Sequence, residues 1–372
     1  MENCLVLRTL LVQVQFTNFV NEENSLSELN ELAKSSGANV IQNLVVTRHV
    51  PDSKFFIGKG KVLEISQIVL RNAIDLVIFN HTLSPSQERN LAKSWNVRVI
   101  DRNTLILDIF ALRAQSFEGR LQVELAQLTH LATRLVGTWT HLERQKGGIG
   151  LRGPGERQLE IDRRLLAQRV KYLNARLKKL EKERLVQRSS NFRKHALNVS
   201  LIGYTNAGKS TLFNALTQEN VYSANQLFAT LDTTSRKIWL EQAQESAVLT
   251  DTVGFIRNLP HSLVKAFHAT LEISTASDLL IHVIDSSSLQ KDEEIKAVQE
   301  VLKEIHADLL PQIWVLNKVD LCPEILKNSF VNQYVTKENK PKVVYLSAKN
   351  RTGLGKLRQI LAQYAIQKRQ HF

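Results

Sequence analysis

The stretch "GYTNAGKS", Gly203 to Ser210, has the spacing G-x-x-x-x-G-K-[ST] and sits between an apolar run, "LNVSLIG", and a helical pattern. A loop of this kind at a helix N-terminus turns backbone N–H groups toward phosphate oxygens, with glycine where a side chain would block the approach. The spacing therefore predicts that the backbone of Gly203, Tyr204, Thr205, Asn206, Ala207 and Gly208 cradles a polyphosphate. Lys209 is expected to reach the β and γ phosphates, and the Ser210 hydroxyl to ligate Mg²⁺.

Three further motifs follow in order. "AVLTDTVG" ends a strand-like run on Asp251, which can hold Mg²⁺ through its water shell. Thr252 and Val253 lead to Gly254, whose N–H can meet a γ-phosphate. In "NKVD", Asn317, Lys318, Val319 and Asp320, the Asp320 carboxylate can accept both the imino and the amino hydrogens of guanine, a pair that adenine does not offer. Asn317 and the stem of Lys318 can brace base and loop, and in "SAK", Ser347, Ala348 and Lys349, the Ala348 N–H can meet the guanine carbonyl. Each motif is weak alone, but the ordered set specifies a guanine-nucleotide domain taking GTP and GDP with Mg²⁺. Between the first two motifs, "LFATLDTTSRKIWL" must supply a threonine that joins the metal and senses the γ-phosphate. Thr230, Thr233 and Thr234 all qualify by spacing.

Phe255 stands where many GTPases carry the glutamine that orients the attacking water. An apolar side chain cannot do this, so slow intrinsic hydrolysis is expected, completed by a partner or another internal group. His261 and His268 are weighed as bases, but surface histidines are the simpler reading.

These groups need a scaffold. Strand-like "LVLRTLLVQVQF", "NVIQNLVVTRHV", "DLVIFN" and "VRVID" alternate with helical spacing over Ser27–Ser36, Lys59–Asn72 and Pro85–Ser94, which predicts a small parallel-sheet α/β domain over residues 1–102. Ser84 before Pro85 reads as a helix start. From Asn103 the pattern is helical, and Leu166, Val170, Leu173, Leu177 and Leu180 form a heptad seam. Residues 103–194 are thus expected to form a coiled-coil-like helical hairpin, and residues 195–372 a doubly wound α/β domain of P-loop type.

Composition narrows the partners. The net charge is +13, and residues 143–194 carry 16 Lys and Arg against 6 Asp and Glu. A charge excess gathered in one helical segment is the footprint of a polyanion-binding element. The tip stretch "GGIGLRGPGERQLE" contains G-x-G-x-x-G, but a helix precedes it, not a strand, so it is no dinucleotide fingerprint. Its glycines are read as letting backbone approach RNA, with Arg152 and Arg157 for phosphates or bases. Cys4 and Cys322 form no ligand pattern, and neither a leader peptide nor a membrane span is read, so a cytoplasmic chain is expected.

The motifs "GYTNAGKSTLFNALT", "LFATLD", "DTVGFIRNLPHSLV" and "VLNKVD", with "DRNTLILDIFALRAQSFEGRLQVELAQL" and "GGIGLRGPGERQLEIDRR" upstream, resemble the HflX-type GTPases over nearly the whole chain. The resemblance implies a GTP-hydrolysing monomer that binds the large (50S) ribosomal subunit and its RNA, splitting or rescuing ribosomes under stress. It also implies that "FATLD", Phe228, Ala229, Thr230, Leu231 and Asp232, borders the nucleotide, with Thr230 the metal ligand. On this reading Lys209, Thr230 and Gly254 carry catalysis, and Ser210 and Thr230 hold the metal. Thr233 stands where the family often has proline, which leaves the switch backbone less restrained. After "LRQILAQYAIQKRQHF" the further C-terminal domain that some members carry is not expected, nor the contacts it would make. Alternatives are a GTP-dependent regulator acting on a non-ribosomal RNA and, ranked lower, weak peripheral membrane association through the basic arm.

Overall fold

The computed structural model describes residues 7–17, 25–138, 154–191, 196–218, 227–228, 230–257, 275–322 and 342–370. These fall into two compact units. One comprises residues 1–112 with 120–177, the other residues 113–119 with 178–372.

The first unit opens with strands β1 (Arg8–Phe16), β2 (Asn39–Arg48), β3 (Leu76–Phe79) and β4 (Arg98–Asp101), all parallel in the order β2-β1-β3-β4. Helices α1 (Ser25–Ser35), α2 (Lys59–Arg71) and α3 (Pro85–Trp95) make the crossovers, as the alternation of periods two and 3.6 predicts. The α3 start is legible residue by residue. The Ser84 hydroxyl accepts from Gln87 N at 3.3 Å and Gln87 Oε1 accepts from Ser84 N at 2.9 Å, a reciprocal box with proline in the first turn. Leu10, Val12, Ile65, Val77, Phe79 and Leu91 are buried at the centre of the core.

Helices α4 (Arg102–Arg113), α5 (Phe117–Thr138) and α6 (Pro154–Asn191) follow. In α5, Arg134 donates to Asp101 Oδ2 at 2.7 Å and pairs with Glu88, so the helix is tied to the end of β4. Arg169 of α6 meets Glu124 of α5 at 2.6 Å. Along α6, Leu173 is fully buried and Leu166, Val170, Leu177 and Leu180 are half-buried, while every position between Leu166 and Leu180 outside this seam is exposed. The heptad reading thus holds for the described part of the arm. The glycine-rich stretch from Gly147 to Gly153, with Arg152, lies outside the described residues, as does the side chain of Arg157, and Pro154 opens α6.

The second unit is built on six strands, β5 (Leu197–Gly203), β6 (Thr234–Leu240), β7 (Glu245–Asp251), β8 (Leu279–Asp285), β9 (Gln312–Asn317) and β10 (Lys342–Tyr345). Their order is β10-β9-β8-β5-β7-β6, and only β6 runs antiparallel to its neighbour. The helices α7 (Lys209–Thr217), α8 (Lys291–Glu304) and α9 (Leu354–Gln370) belong to this unit. Val199, Leu201, Leu249, Ile281, Val283 and Val315 are buried on one face of the sheet and Ile202, Val248, Leu280 and Ile284 on the other, which explains why these strands read as continuous apolar runs. β5 lies between β7, reached through α7 and β6, and β8, to which the chain crosses from β7, so the strand order reverses beside β5 and the crevice beyond its carboxyl end is where a doubly wound sheet receives a ligand.

Candidate nucleotide site

The loop from β5 to α7 occupies that crevice. Gly203 has φ 147°, and a Cβ there would lie 2.3 Å from the Val283 carbonyl oxygen of β8. Gly208 has φ 96°, and its Cβ would lie 2.3 Å from Asn317 Nδ2. Both glycines are thus demanded twice, by backbone conformation and by space.

Lys209 opens α7 but points back across the loop. Its Nζ donates to the carbonyls of Gly203 at 3.1 Å and Tyr204 at 2.8 Å. Burial lowers its pKa to about 8, partly offset by the charge of Asp251. A buried cation so poorly compensated is an electrostatic demand for an anion, and a phosphate chain meets it.

Next to it three oxygens converge. Ser210 Oγ lies 2.7 Å from Asp251 Oδ2 and 2.7 Å from Thr230 Oγ1, and Thr230 Oγ1 lies 3.1 Å from the same Asp251 oxygen. Asp251 is fully buried, and burial pushes its pKa up against the hydrogen bond from Ser210 and the charge of Lys209. Its Oδ1 has no hydrogen-bond partner among the described residues. A buried carboxylate with an unmatched oxygen and two hydroxyls beside it is a donor set that fits a small hard divalent cation. Of the three threonines open by spacing, Thr234 is already committed to β6, paired with Asp251 across the antiparallel ladder. Thr230 is the one whose hydroxyl reaches this cluster.

The segment after Asp251 lies along the phosphate loop. Thr205 N donates to the Phe255 carbonyl at 2.8 Å and Phe255 N to the Gly203 carbonyl at 3.1 Å, while Arg257 N donates to the Tyr204 hydroxyl at 3.0 Å. A Cβ on Gly254 would come within 2.7 Å of Thr205 Cγ2 and 3.0 Å of Lys209 Nζ. Phe255 is buried and Val253 nearly so. Thr252 donates its hydroxyl to the Leu201 carbonyl at 2.6 Å, away from the loop's mouth. His261 and His268 lie outside the described residues, as does Ala229.

A cleft of about 420 Å³ opens beside the loop, lined by Asn206, Gly208, Asn317, Lys318, Asp320, Ser347, Ala348 and Lys349 among others. Asn317 staples its walls together. It donates to the Ala207 carbonyl at 2.9 Å and accepts from Ala348 N at 3.0 Å. Lys318, at φ 62°, pairs with Asp285 of β8 at 2.6 Å, and Val319 is buried below. This leaves the Asp320 carboxylate exposed at the cleft, facing space large enough for a purine.

The remaining residues of the switch stretch behave differently from one another. Phe228, at φ 56°, and Leu231 are buried as packing. Asp232 turns to the segment before α5, where Oδ2 accepts from Gln115 N and Ser116 N at 2.9 and 2.7 Å. Sequence reasoning missed two partners here. Asp285 could have been found as a carboxylate ending an apolar strand, "LLIHVID", whereas nothing local in the sequence couples Ser116 to Asp232.

Three family models match the chain: "GTP-binding GTPase N-terminal" over residues 23–111, "GTP-binding GTPase Middle Region" over 113–191 and "50S ribosome-binding GTPase" over 198–318. The chain is 50% identical over 356 residues to the GTPase HflX of Escherichia coli (strain K12), covering 96% of this chain and 82% of that one. It is 47% identical over 336 residues to the GTPase HflX of Caldanaerobacter subterraneus subsp. tengcongensis, covering 90% and 76%. A GTP-binding protein from the hyperthermophilic archaeon Sulfolobus solfataricus, crystallised with GDP, superposes with a TM-score of 0.52 at 26% identity, covering 97% of this chain and 99% of its own. With the phosphate loop, the acidic strand end and the purine-sized cleft in one crevice, these likenesses agree: the chain belongs to the HflX family of GTPases and hydrolyses GTP to GDP and phosphate.

Proposed function

We propose that this GTPase binds the large ribosomal subunit through its basic arm in the triphosphate state, separates or rescues ribosomes, and leaves after hydrolysis. The observation that carries the reading is α6, whose apolar seam is turned inward while Arg163, Arg164, Lys171, Lys178, Lys179 and Lys182 are exposed. Such a helix neutralises phosphates without regard to sequence, as ribosomal RNA requires. Support for the partner comes from the matched family description, "50S ribosome-binding GTPase". The division into residues 1–102, 103–194 and 195–372 belongs to the same reading, supported by the three matched ranges. So does a cytoplasmic monomer. Among the described residues no helix is long and apolar enough to cross a membrane.

In the nucleotide site, Lys209 holds the β and γ phosphates, and Asp320, Asn317 and Ala348 N–H select guanine. The N–H of Gly254 faces the γ-phosphate, and Gly203 to Gly208 supply the backbone cradle. Ser210 and Thr230 would hold Mg²⁺, with Asp251 acting through its water shell, and the ion when bound would neutralise phosphate charge. Phe255 cannot orient that water, so the ribosome completes the site. Whole ribosomes incubated with the protein and GTP, GDP or a non-hydrolysable analogue test splitting by sedimentation. Free subunits are expected with either triphosphate and not with GDP. Intact ribosomes under all three conditions would remove splitting from the account.

A further inference from the structure

We propose that Asp232 is a positioning residue of the GTPase reaction, anchored on the N-cap of α5 so that residues Ser116 and Gly119 fix where Thr230 stands. The inference rests on the reading of Thr230 as the switch ligand.

The anchor is fully drawn by hydrogen bonds. Asp232 Oδ2 accepts from Gln115 N at 2.9 Å and Ser116 N at 2.7 Å, and Oδ1 accepts from the Ser116 hydroxyl at 2.5 Å. Ser116 Oγ in turn accepts from Gly119 N at 2.9 Å, three residues on, which makes Ser116 the N-cap of α5. A carboxylate there also meets the positive end of a 22-residue helix. Both partners lie in the same compact unit, to which residues 113–119 belong although the chain then leaves it at Arg120.

Gly119 supplies an independent sign that the fit is built. A Cβ at this position would lie 2.4 Å from Asp232 Oδ1 and 2.9 Å from Ser116 Oγ. The carboxylate is held by three donors, so it cannot swing aside without losing them. Two residues before it, Thr230 Oγ1 sits 2.7 Å from Ser210 Oγ and 3.1 Å from Asp251 Oδ2. A two-residue tether keeps the Thr230 Cα within about 7 Å of the anchored Asp232 Cα, roughly one Cα spacing per residue. The expected consequence is that the cap keeps Thr230 near its productive place and reduces the ordering cost of the triphosphate state.

The test uses the full chain with fluorescent GDP and a fluorescent non-hydrolysable GTP analogue, over a Mg²⁺ titration. Gly119→Ala and Ser116→Ala are expected to keep GDP affinity and to stay folded, with only the modest drop in melting temperature of a disturbed helix cap, yet to lower the preference for the triphosphate by about tenfold, the scale of a charge-assisted hydrogen bond. Asp232→Asn should lower the same preference, and the Gly119→Ala/Asp232→Asn pair should lose no more than the larger single loss, because both act on one contact. If Thr230→Ala removes the preference but Gly119→Ala and Ser116→Ala leave it intact, the inference is overturned and the reading of Thr230 survives. If Thr230→Ala itself leaves the preference intact, that reading fails instead.

Discussion

Asp320→Asn should lower the affinity for GTP by roughly 10⁴-fold, the scale on which a site built for particular donors rejects a mismatch. The carboxylate presents two acceptors toward the cleft it shares with Asn317, Lys318 and Ala348. Guanine matches them with its imino and amino hydrogens. An asparagine offers one acceptor and one donor, the pattern that fits xanthine, which carries a carbonyl in place of the amino group. The variant is therefore expected to prefer xanthosine triphosphate, and competition between the two nucleotides measures the exchange. Unchanged GTP affinity would place the base elsewhere.

Lys209→Met carries the second large effect. Methionine keeps the apolar length of the side chain but removes the ammonium that the Gly203 and Tyr204 carbonyls hold. The expected loss in GTP turnover is about 10²–10³-fold, as for removal of one preorganised charge-stabilising donor. The folded chain without nucleotide should not suffer in proportion. Burial already lowers the Lys209 pKa to about 8, so the variant sheds the desolvation cost of a buried charge, and this offsets the lost attraction to Asp251. The signature is an unaltered melting temperature without nucleotide, together with loss of the stabilisation that the triphosphate confers. A melting temperature that collapses in the absence of nucleotide would make Lys209 a structural residue instead.

How far the sequence foretold this site depends on how local each interaction is. The phosphate loop was legible because strand, glycines, lysine and serine are contiguous and every requirement is met within eight residues. The Ser84 cap and the Leu173 seam were legible for the same reason, since capping and heptad packing are written at spacings of three and four. Thr230 could not be separated from Thr233 and Thr234 by spacing. It took the register of β6 against β7, a long-range pairing, to commit Thr234 to the sheet. The Lys318–Asp285 pair spans 33 residues and the Asp232–Ser116 contact 116. Neither leaves a periodic trace, because only the folded topology brings the partners together. "FATLD" reads as one nucleotide-facing segment, yet Phe228 and Leu231 are packing and Asp232 faces another turn. A linear motif records that a segment matters without recording which way each side chain points.

The central claim is that nucleotide state controls the hold on the large ribosomal subunit. The most direct measurement is co-sedimentation of the full chain with isolated large subunits in GDP and in a non-hydrolysable GTP analogue, with GTP turnover followed on the same samples. The account predicts binding that is strong with the analogue, weak with GDP and diminished by salt, and turnover that rises when subunits are added. Equal sedimentation in both nucleotides, or turnover indifferent to the subunits, would contradict it.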